Sequence, residues 1–584
     1  MLQRMLALLA IIGFFMTTTA AQEAWRDKVD AGLLLQMRTD ETPSFVVLFE
    51  EKADLSGAAA IKGRAAKSAY VFQQLTSVAQ RSQAGVVQYL DAVQAPYQSL
   101  YIVNALETSG DASLIEQLAE RPDVKRLMYN PVVSQTLPEL DRSVVSRDPQ
   151  EVSWPITKIG VESVWAMGYT GQGVVVGGQD TGYEWDHPAL KDKYRGWNGV
   201  TADHNYNWHD AIHSYNPMHT NQNNPCGLDS KTPCDDHNHG TLTMGIAVGA
   251  APDNTIGIAP GAQWMGCRNM DRGYGAPGTY LECFQWFLAP TDLNNQNPDP
   301  SKGPDVIVNS WGCPSEEGCN ATNWSVLDEA INALRAAGVV IVASAGNDGS
   351  ACSTVADPPA MFDGSFSVGA TQQSDTIAGF SSRGPVLADG SRRLKPDIVA
   401  PGVGIRSSIR NQQYGSASGT SLSGPVVAGV VALVLSAHPE LSGDVDAIEA
   451  LLERTAQPIT GKQVCGDLDP SAVPNPTYGY GRVNALEAVL GFASGVDQPA
   501  LSGVSVFPNP STGKVNIGLP QDLRQVQVEL WSVTGQQLLI RRIQDGQTQV
   551  ELDLSTLPAG WYAYRITAKE GVYSGRLVLQ SNRE

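Results

Sequence analysis

The sequence predicts an α/β fold, in which a large domain with a doubly wound parallel sheet follows a small α+β unit and precedes a small β-sandwich. Length is the first observation, because 584 residues exceed what one hydrophobic core usually organises. Second, short β-branched runs alternate with helical and Gly-rich segments between Trp154 and Phe492. Third, apolar residues recur with period two after residue 500. We therefore expect three folded units.

The N-terminus has the pattern of an export signal. Arg4 precedes an apolar run from Met5 to Met16, and small residues follow from Thr17 to Ala21. This run is too short to span a bilayer as a helix, which takes about 20 residues. We expect a signal peptide over residues 1–21, no transmembrane anchor, and a secreted protein that is extracellular or attached to the cell surface.

Residues 22–137 form the first predicted unit. Its pattern gives a strand, a helix, a strand, a helix and a strand, with room for one more strand. These predicted elements are Phe45–Phe49, Arg64–Val93, Leu100–Leu106, Ala112–Arg121 and Val124–Val133. Residues 138–153 are polar and charged, which is typical of an exposed linker that is open to cleavage.

The large domain is predicted over residues 154–492. Its strands are continuous apolar runs, which indicates burial on both faces and hence a parallel sheet with crossover helices. The predicted strands are Gly173–Gly178, Asp305–Asn309, Val339–Ala343, Ser365–Ala370 and Asp397–Ala400. A Val- and Ala-rich segment from Ser421 to His438 is expected to be a helix buried at the centre.

The C-terminal unit is predicted over residues 501–584, after a short linker at residues 493–500. Five segments alternate between apolar and polar residues, with turn signals between them. These are Val504–Val506, Val526–Leu530, Val550–Leu554, Tyr562–Ile566 and Arg576–Leu579.

The charge of the chain argues against two classes of partner. The 60 acidic residues outnumber the 40 basic ones and no basic cluster occurs, which argues against nucleic acid and anionic membranes as partners.

The cysteine content suits disulfides in an exported protein, because the eight cysteines between Cys226 and Cys465 are an even number. Close pairs such as Cys226/Cys234 and Cys313/Cys319 suit local bridges, but the full connectivity stays open.

Metal ligation is not expected from the sequence. One candidate group of metal ligands consists of Cys234, His237 and His239, and another consists of His209 and His213. Neither group is accompanied by a second pair of Cys or His residues at the spacing of metal ligands. Asp235 and Asp236 are expected to be ordinary loop acids. Acidic loops offer oxygen ligands for a structural calcium ion, yet no loop has a dedicated calcium-binding spacing. We therefore expect no required cofactor and locate no calcium site.

Three segments of the large domain offer an acid, a base and a nucleophile in chain order. Asp180 follows a buried strand, His239 opens a run of small residues, and Ser421 precedes the apolar helix. A serine hydroxyl needs a base such as histidine, and the imidazole needs a carboxylate to fix its tautomer. A serine at a helix N-terminus is close to backbone N–H donors, and Asn347 is the best side-chain donor for a developing oxyanion.

These motifs resemble the subtilisin (subtilase) family of serine endopeptidases. The resemblance rests on Asp180-Thr181-Gly182, His239-Gly240-Thr241 and Gly419–Pro425, in that order, and runs from about Trp154 to Leu490. It implies a subtilisin-like domain that cleaves proteins or peptides through an acyl-enzyme. By this resemblance Asp180 orients His239, His239 is the general base and then acid, Ser421 is the nucleophile, and Asn347 is the oxyanion donor.

The resemblance extends beyond these motifs. Ser310, Trp311 and Gly312 are similar to the family's strand that binds the substrate backbone, and three cysteine-bearing segments are similar to those of bacillopeptidase F-type members. Residues 40–136 resemble inhibitor-type propeptides, with a ferredoxin-like fold that assists folding and blocks the cleft. The C-terminal unit is similar to sorting domains read by the type IX secretion system. These likenesses imply a zymogen that interacts with secretion machinery and loses its propeptide between Leu137 and Ser153.

Two other classes compete with this interpretation. A lipase- or esterase-like hydrolase needs G-x-S-x-G with its histidine downstream, but the position expected to be glycine is Ser423, and His438 is the only later histidine. A surface adhesion protein with an inactive subtilase-like domain is the non-enzyme alternative. The intact motif positions weigh against adhesion, and a proteolysis assay separates the two.

Overall fold

A computed structural model describes residues 24–134, 137–140, 153–216, 224–314, 319–321, 323–492, 503–532 and 537–580. The predicted signal peptide and the linker 493–500 lie outside the described residues, as do residues 141–152 of the linker 138–153. The chain forms two compact units. The first holds the residues up to Ile156 together with Gly171–Val483, and the second holds Thr157–Thr170 together with the residues from Asn484 onward.

The N-terminal region is an α+β fold on a four-stranded antiparallel sheet. Its elements are α1 (Ala31–Gln36), β1 (Ser44–Phe49), α2 (Arg64–Val93), β2 (Tyr97–Leu100), β3 (Ala105–Ser109), α3 (Ala112–Ala119), β4 (Val124–Tyr129) and the short β5 (Val133–Ser134). The sheet order is β2-β3-β1-β4, and the sequence of elements from β1 to β4 is the β-α-β-β-α-β pattern of ferredoxin-like folds.

One predicted strand proved to be two. The segment Leu100–Leu106 was expected to be continuous, but β2 ends at Leu100 and a 3-10 turn covers Tyr101–Val103. Asn104 then adopts a left-handed conformation with φ of 49°, which reverses the chain into β3. The two strands pair antiparallel, with Leu100 opposite Ala105. This hairpin supplies the additional strand for which the sequence left room.

The large domain contains a seven-stranded parallel sheet, and this confirms the predicted fold class. Its order is β16-β15-β14-β13-β6-β10-β7, so that β13 to β16 follow one another outward on one side of β6, while on the other side β10 lies between β6 and the edge strand β7. The strands of this sheet are β6 (Val175–Asp180), β7 (Trp208–Asp210), β10 (Gln263–Arg268), β13 (Val306–Asn309), β14 (Val340–Ser344), β15 (Phe366–Thr371) and β16 (Ile398–Pro401). Functional side chains collect at the carboxyl ends of such strands.

Further helices and short hairpins lie between Trp154 and Thr455 in the chain. The helices are α4 (Trp154–Lys158), α5 (Val161–Ala166), α6 (His239–Val248), α7 (Pro277–Leu288), α8 (Trp324–Ala336), α9 (Thr420–Ala437) and α10 (Val445–Thr455). The short strands are β8 (Ala250–Ala251), β9 (Asn254–Thr255), β11 (Met270–Asp271), β12 (Tyr274–Gly275), β17 (Ile405–Ile409) and β18 (Gln413–Ala417). Disulfides join Cys226 to Cys234, Cys267 to Cys283, Cys313 to Cys319 and Cys352 to Cys465.

Helix α9 is the buried central helix that the sequence predicted. Every residue from Thr420 to Leu435 is buried, and the helix packs on β13, β14, β15 and β16 and on α6. Within the described part of the chain, α9 alone is long and apolar enough to cross a membrane. Its burial inside the domain accounts for that composition.

The C-terminal region is β-rich, as predicted. After α11 (Ala485–Phe492), its strands are β19 (Ser505–Phe507), β20 (Lys514–Gly518), β21 (Gln527–Ser532), β22 (Gln537–Arg542), β23 (Gln549–Asp553), β24 (Gly560–Ala568) and β25 (Gly571–Leu579). They form two antiparallel sheets, ordered β19-β20-β23 and β22-β21-β24-β25. A core of its own includes Val515, Val528, Ile566 and Leu577. The sequence missed β20 and β22.

Candidate active site

Asp180 and His239 form a buried pair at the carboxyl edge of the sheet. Asp180 is the last residue of β6 and His239 the first of α6. Nδ1 of the imidazole lies 2.8 Å from Asp180 Oδ1 and 2.9 Å from Oδ2, and the two residues are 1% and 3% exposed. A carboxylate at Nδ1 favours the tautomer that leaves Nε2 as the acceptor. Nε2 of His239 is therefore the ring nitrogen that is available to accept a proton.

Ser421 lies at the second position of α9, beside the strand end that follows β13. Its Oγ donates a hydrogen bond to the backbone oxygen of Ser310 at 3.2 Å, and Ser310 Oγ donates to the backbone oxygen of Ser421 at 2.9 Å. Nε2 of His239 is buried and has no hydrogen-bond partner among the described residues. The structure thus contains the bond from His239 to Asp180 but no bond from His239 to Ser421.

Asn347 is held against the start of α9. Its Oδ1 accepts hydrogen bonds from the backbone N–H of Thr420 at 2.9 Å and from Thr420 Oγ1 at 3.0 Å. Both bonds use the carbonyl oxygen of the amide, which leaves Nδ2 as its donor. A Cβ built on Gly419 would lie 3.7 Å from that Nδ2, so the donor sits beside the turn that leads into Ser421.

A cavity of about 140 Å³ is lined by Ser421, by Asn347 and by the predicted substrate-binding segment, whereas Asp180 and His239 are not among its lining residues. Its walls come from the segments after β13 and β14, the loop 357–360 and the start of α9. The lining residues are Ser134, Leu137, Ser310, Trp311, Gly312, Pro314, Ser344, Ala345, Gly346, Asn347, Asp348, Asp357, Pro358, Ala360, Thr420 and Ser421. All three predicted substrate-binding residues are among them. The sequence assigned no role to Asp348 or to the loop 357–360, because a pocket wall has no motif of its own.

The end of the N-terminal region enters this cleft. Strand β5 pairs antiparallel with β12, with Ser134 opposite Tyr274. Leu137 lines the cavity, and a Cβ built on Gly419 would lie 2.9 Å from Pro138 Cγ. Ser134 and Leu137 therefore line the cavity that contains Ser421, and Pro138 lies beside Gly419.

The N-terminal sheet rests on α7 through polar contacts. Asn130 Oδ1 accepts a hydrogen bond from Gly278 N–H at 3.0 Å, near the start of the helix, and Asn130 Nδ2 donates to Glu107 Oε1 at 2.8 Å. Gln285 Nε2 donates to the backbone oxygen of Ser99 at 3.0 Å. Loss of solvent, and secondly the charge of Glu282, raise the pKa of Glu107 to about 7.

His209 and His213, which were considered as metal ligands, make hydrogen bonds to carboxylates. His209 Nε2 lies 2.7 Å from Glu282 Oε1, and His213 Nε2 lies 2.9 Å from Glu282 Oε2. His213 Nδ1 lies 2.6 Å from Asp229 Oδ1. Across the described ranges, no group of three or more His, Cys, Asp or Glu side chains is arranged to hold a metal ion.

Comparison with known proteins agrees with this geometry. Residues 171–481 match the subtilase family, and residues 505–580 match a secretion system C-terminal sorting domain. Bacillopeptidase F of Bacillus subtilis is 33% identical over 509 residues, covering 81% of this chain. The match spans only 33% of that relative's own length.

Two shorter relatives match over the central region. Subtilisin E of Bacillus subtilis is 30% identical over 342 residues, which cover 58% of this chain and 72% of the relative. Subtilisin of Bacillus pumilus is 32% identical over 295 residues, which cover 50% of this chain and 86% of the relative.

The seven-stranded parallel sheet and these matches place the chain among serine peptidases of the α/β class. Within that class, the chain belongs to the subtilase family. Its C-terminal sorting domain marks it for secretion, to the outside of the cell or to the cell surface.

Proposed function

We propose that this chain is a secreted serine endopeptidase that hydrolyses peptide bonds in proteins. The observation that carries the proposal is the buried Asp180–His239 pair together with a cavity that is lined by Ser421 and Asn347. The Asp180–His239 pair, Ser421 at the start of a buried helix, and an Asn347 amide with its donor beside Ser421 supply the base, the nucleophile and the oxyanion donor.

In the proposed reaction a substrate strand lies along Ser310–Gly312, and Ser421 Oγ attacks the scissile carbonyl carbon. Its proton passes to His239 Nε2, and Asp180 stabilises the resulting imidazolium. Ser421 Oγ must first leave the Ser310 carbonyl, which a rotation about χ1 accomplishes. This rotation gives the unpartnered Nε2 its hydrogen bond.

The tetrahedral intermediate carries its negative charge on the former carbonyl oxygen. Asn347 Nδ2 and the N–H groups at the start of α9 donate to that oxygen. His239 then protonates the leaving amine, and the acyl-enzyme remains on Ser421. Water, deprotonated by His239, releases the acid and restores the serine. The chain itself supplies every group in this reaction, so no cofactor is required of it, and structural calcium has no assigned residues.

A proteolysis assay separates this proposal from the adhesion alternative. Purified, processed protein should degrade casein, and a phosphonate that reacts with activated serines should abolish the degradation. The Ser421→Ala variant is the matched control for contaminating proteases. Properly processed protein without phosphonate-sensitive proteolysis would favour the adhesion protein.

The N-terminal region acts in this proposal as an intramolecular inhibitor. Support comes from Ser134 and Leu137, which line the cavity, and from the pairing of β5 with β12. Removal of the propeptide between Leu137 and Ser153 is proposed to be autocatalytic, because Pro138, at the start of that stretch, lies beside Gly419 in the turn that leads into Ser421. Ser421→Ala protein made in the absence of other proteases should therefore keep its propeptide. Loss of the propeptide from that variant would disprove self-processing.

A further inference from the structure

A second buried carboxylate lies close to the Asp180–His239 pair, and the proposed reaction does not use it. Asp235, which was expected to be an ordinary loop acid, is 3% exposed. Its Oδ1 accepts hydrogen bonds from Thr181 Oγ1 at 2.9 Å, from His237 N–H at 2.8 Å and from Asn238 N–H at 3.0 Å. This oxygen therefore organises the residues immediately before His239.

The other oxygen of the same carboxylate holds the residues after His239. Asp235 Oδ2 accepts from Thr241 N–H at 3.0 Å and from Thr241 Oγ1 at 2.6 Å. One side chain thus fixes the backbone on both sides of the histidine. A buried carboxylate that accepts five hydrogen bonds holds the loop in one conformation, because each bond depends on an ordered donor.

Thr181 connects this loop to the strand that carries Asp180. Its hydroxyl donates to Asp235 and accepts from Gly240 N–H at 3.1 Å. The two backbones approach closely, since a Cβ on Gly240 would lie 2.0 Å from Gly182 O and 3.1 Å from Asp180 Cβ. A continuous network therefore runs from the residue after Asp180 to the residue after His239.

We infer that Asp235 is a positioning residue for the reaction, which sets His239 against Asp180 by clamping residues 235–241 onto Thr181. It contacts neither the substrate nor the reacting atoms. The inference rests on the proposed function, because it assigns a role relative to His239 as the base. Misplacement of a reacting group by about 1 Å costs about 10²-fold in rate, so a small shift of the loop is sufficient to be measured.

The test compares Asp235→Asn with Asp236→Asn in the processed enzyme. Asp236 is the adjacent buried carboxylate, but its side chain contacts Asn224, Arg268 and the N–H of Arg272. An asparagine at 235 cannot accept on both sides, so we expect kcat to fall about 10²-fold with KM within about twofold of wild type. Asp236→Asn should leave kcat within about threefold. Equal kcat losses, or no loss at Asp235→Asn, would overturn the inference.

Two further measurements keep the test decisive if Asp235→Asn does not fold. Thr181→Val removes the bridging hydroxyl and should lower kcat, whereas Thr181→Ser keeps the hydroxyl and should restore it. The downfield proton NMR signal of the His239 Nδ1–H bond should shift in Thr181→Val and not in Thr181→Ser. Identical spectra and rates for the two variants would overturn the inference. Failure of the proposed function is distinguishable, since wild-type protein itself would then lack phosphonate-sensitive proteolysis.

Discussion

At the scale of single residues, the oxygen and the nitrogen of the Asn347 side-chain amide have different roles. The Oδ1 end is structural, because it accepts both hydrogen bonds from Thr420, and the Nδ2 end is the proposed oxyanion donor. A truncation to alanine removes both functions and leaves the Thr420 N–H without its partner, which costs about 1–3 kcal/mol when such a group stays buried. Substitutions at Asn347 must therefore be chosen to separate stability from catalysis.

Asn347→Asp keeps both acceptor positions and removes the donor. We expect kcat to fall by at least about 10²–10³-fold, the range that loss of a comparable donor causes in subtilisin, a relative of this chain. Thermal unfolding should change little, whereas Asn347→Ala should lower both kcat and the melting temperature. Steady-state kinetics and calorimetry on both variants check this. An unchanged kcat in Asn347→Asp would remove Asn347 from the mechanism.

The residues of the site were predictable to different degrees. Asp180, His239 and Ser421 each lie in a motif with a chemical reason for every position, so the sequence alone is sufficient to propose them as catalytic residues. Asp235 has no such motif, because its role depends on contacts with Thr181, 54 positions away in the chain. The bond from Ser421 Oγ to Ser310 was not predictable either, since it is a choice of rotamer.

At the scale of elements, periodicity predicted those elements that are long or buried. The helix at Arg64–Val93 has the predicted bounds, and every strand predicted in the large domain is present in its parallel sheet. The hairpin of β2 and β3 was missed, because a single left-handed residue, Asn104, decides it. Very short strands such as β12 were also missed, because two residues carry no period.

The contact between strand β3 and helix α7 predicts a pH dependence of propeptide release. Glu107 has a pKa of about 7 against the helix, compared with an ordinary value of 4.5, because it loses solvent and faces Glu282. His213, which lowers the pKa of Glu107, itself has a pKa of about 10 and keeps its charge. The bound carboxyl is therefore protonated at pH 5 and ionised at pH 8, whereas the released carboxyl is ionised at both.

Binding of the propeptide should consequently weaken as the pH rises from about 4.5 to 7 and stay constant above that range. The difference between the bound and the released pKa of Glu107 corresponds to a weakening of propeptide binding by at most about 300-fold, because each pKa unit contributes a factor of ten. We expect freshly processed enzyme to become active faster at pH 7.5 than at pH 5.5, with rates normalised to mature enzyme at each pH. Glu107→Gln should abolish this difference. A pH dependence that persists in Glu107→Gln would show that another group controls release.

At the scale of the whole molecule, the two compact units have different tasks. Every residue that lines the catalytic cavity belongs to the first unit, including Ser134 and Leu137 from the N-terminal region. The C-terminal strands have a separate hydrophobic core. The sequence predicts separate large and C-terminal units, since parallel-sheet strands are continuously apolar and sandwich strands alternate. It did not predict that Thr157–Thr170 belongs to the second unit, nor that Ser134 and Leu137 line the cavity, because these contacts join segments far apart in the chain.

Deletion of residues 493–584 tests the division of tasks. We expect the truncated enzyme to keep kcat and KM on a peptide substrate within about twofold, because no deleted residue lines the cavity and the remaining domain keeps its own core. We propose that the type IX secretion system reads the deleted domain, so a host with that system should export the full chain and retain the truncated one in the periplasm. The full-length Ser421→Ala variant is the matched control, since it should be exported without being active. Export of the truncated chain would assign the sorting signal elsewhere, and a large loss of kcat would show that catalysis depends on the C-terminal domain.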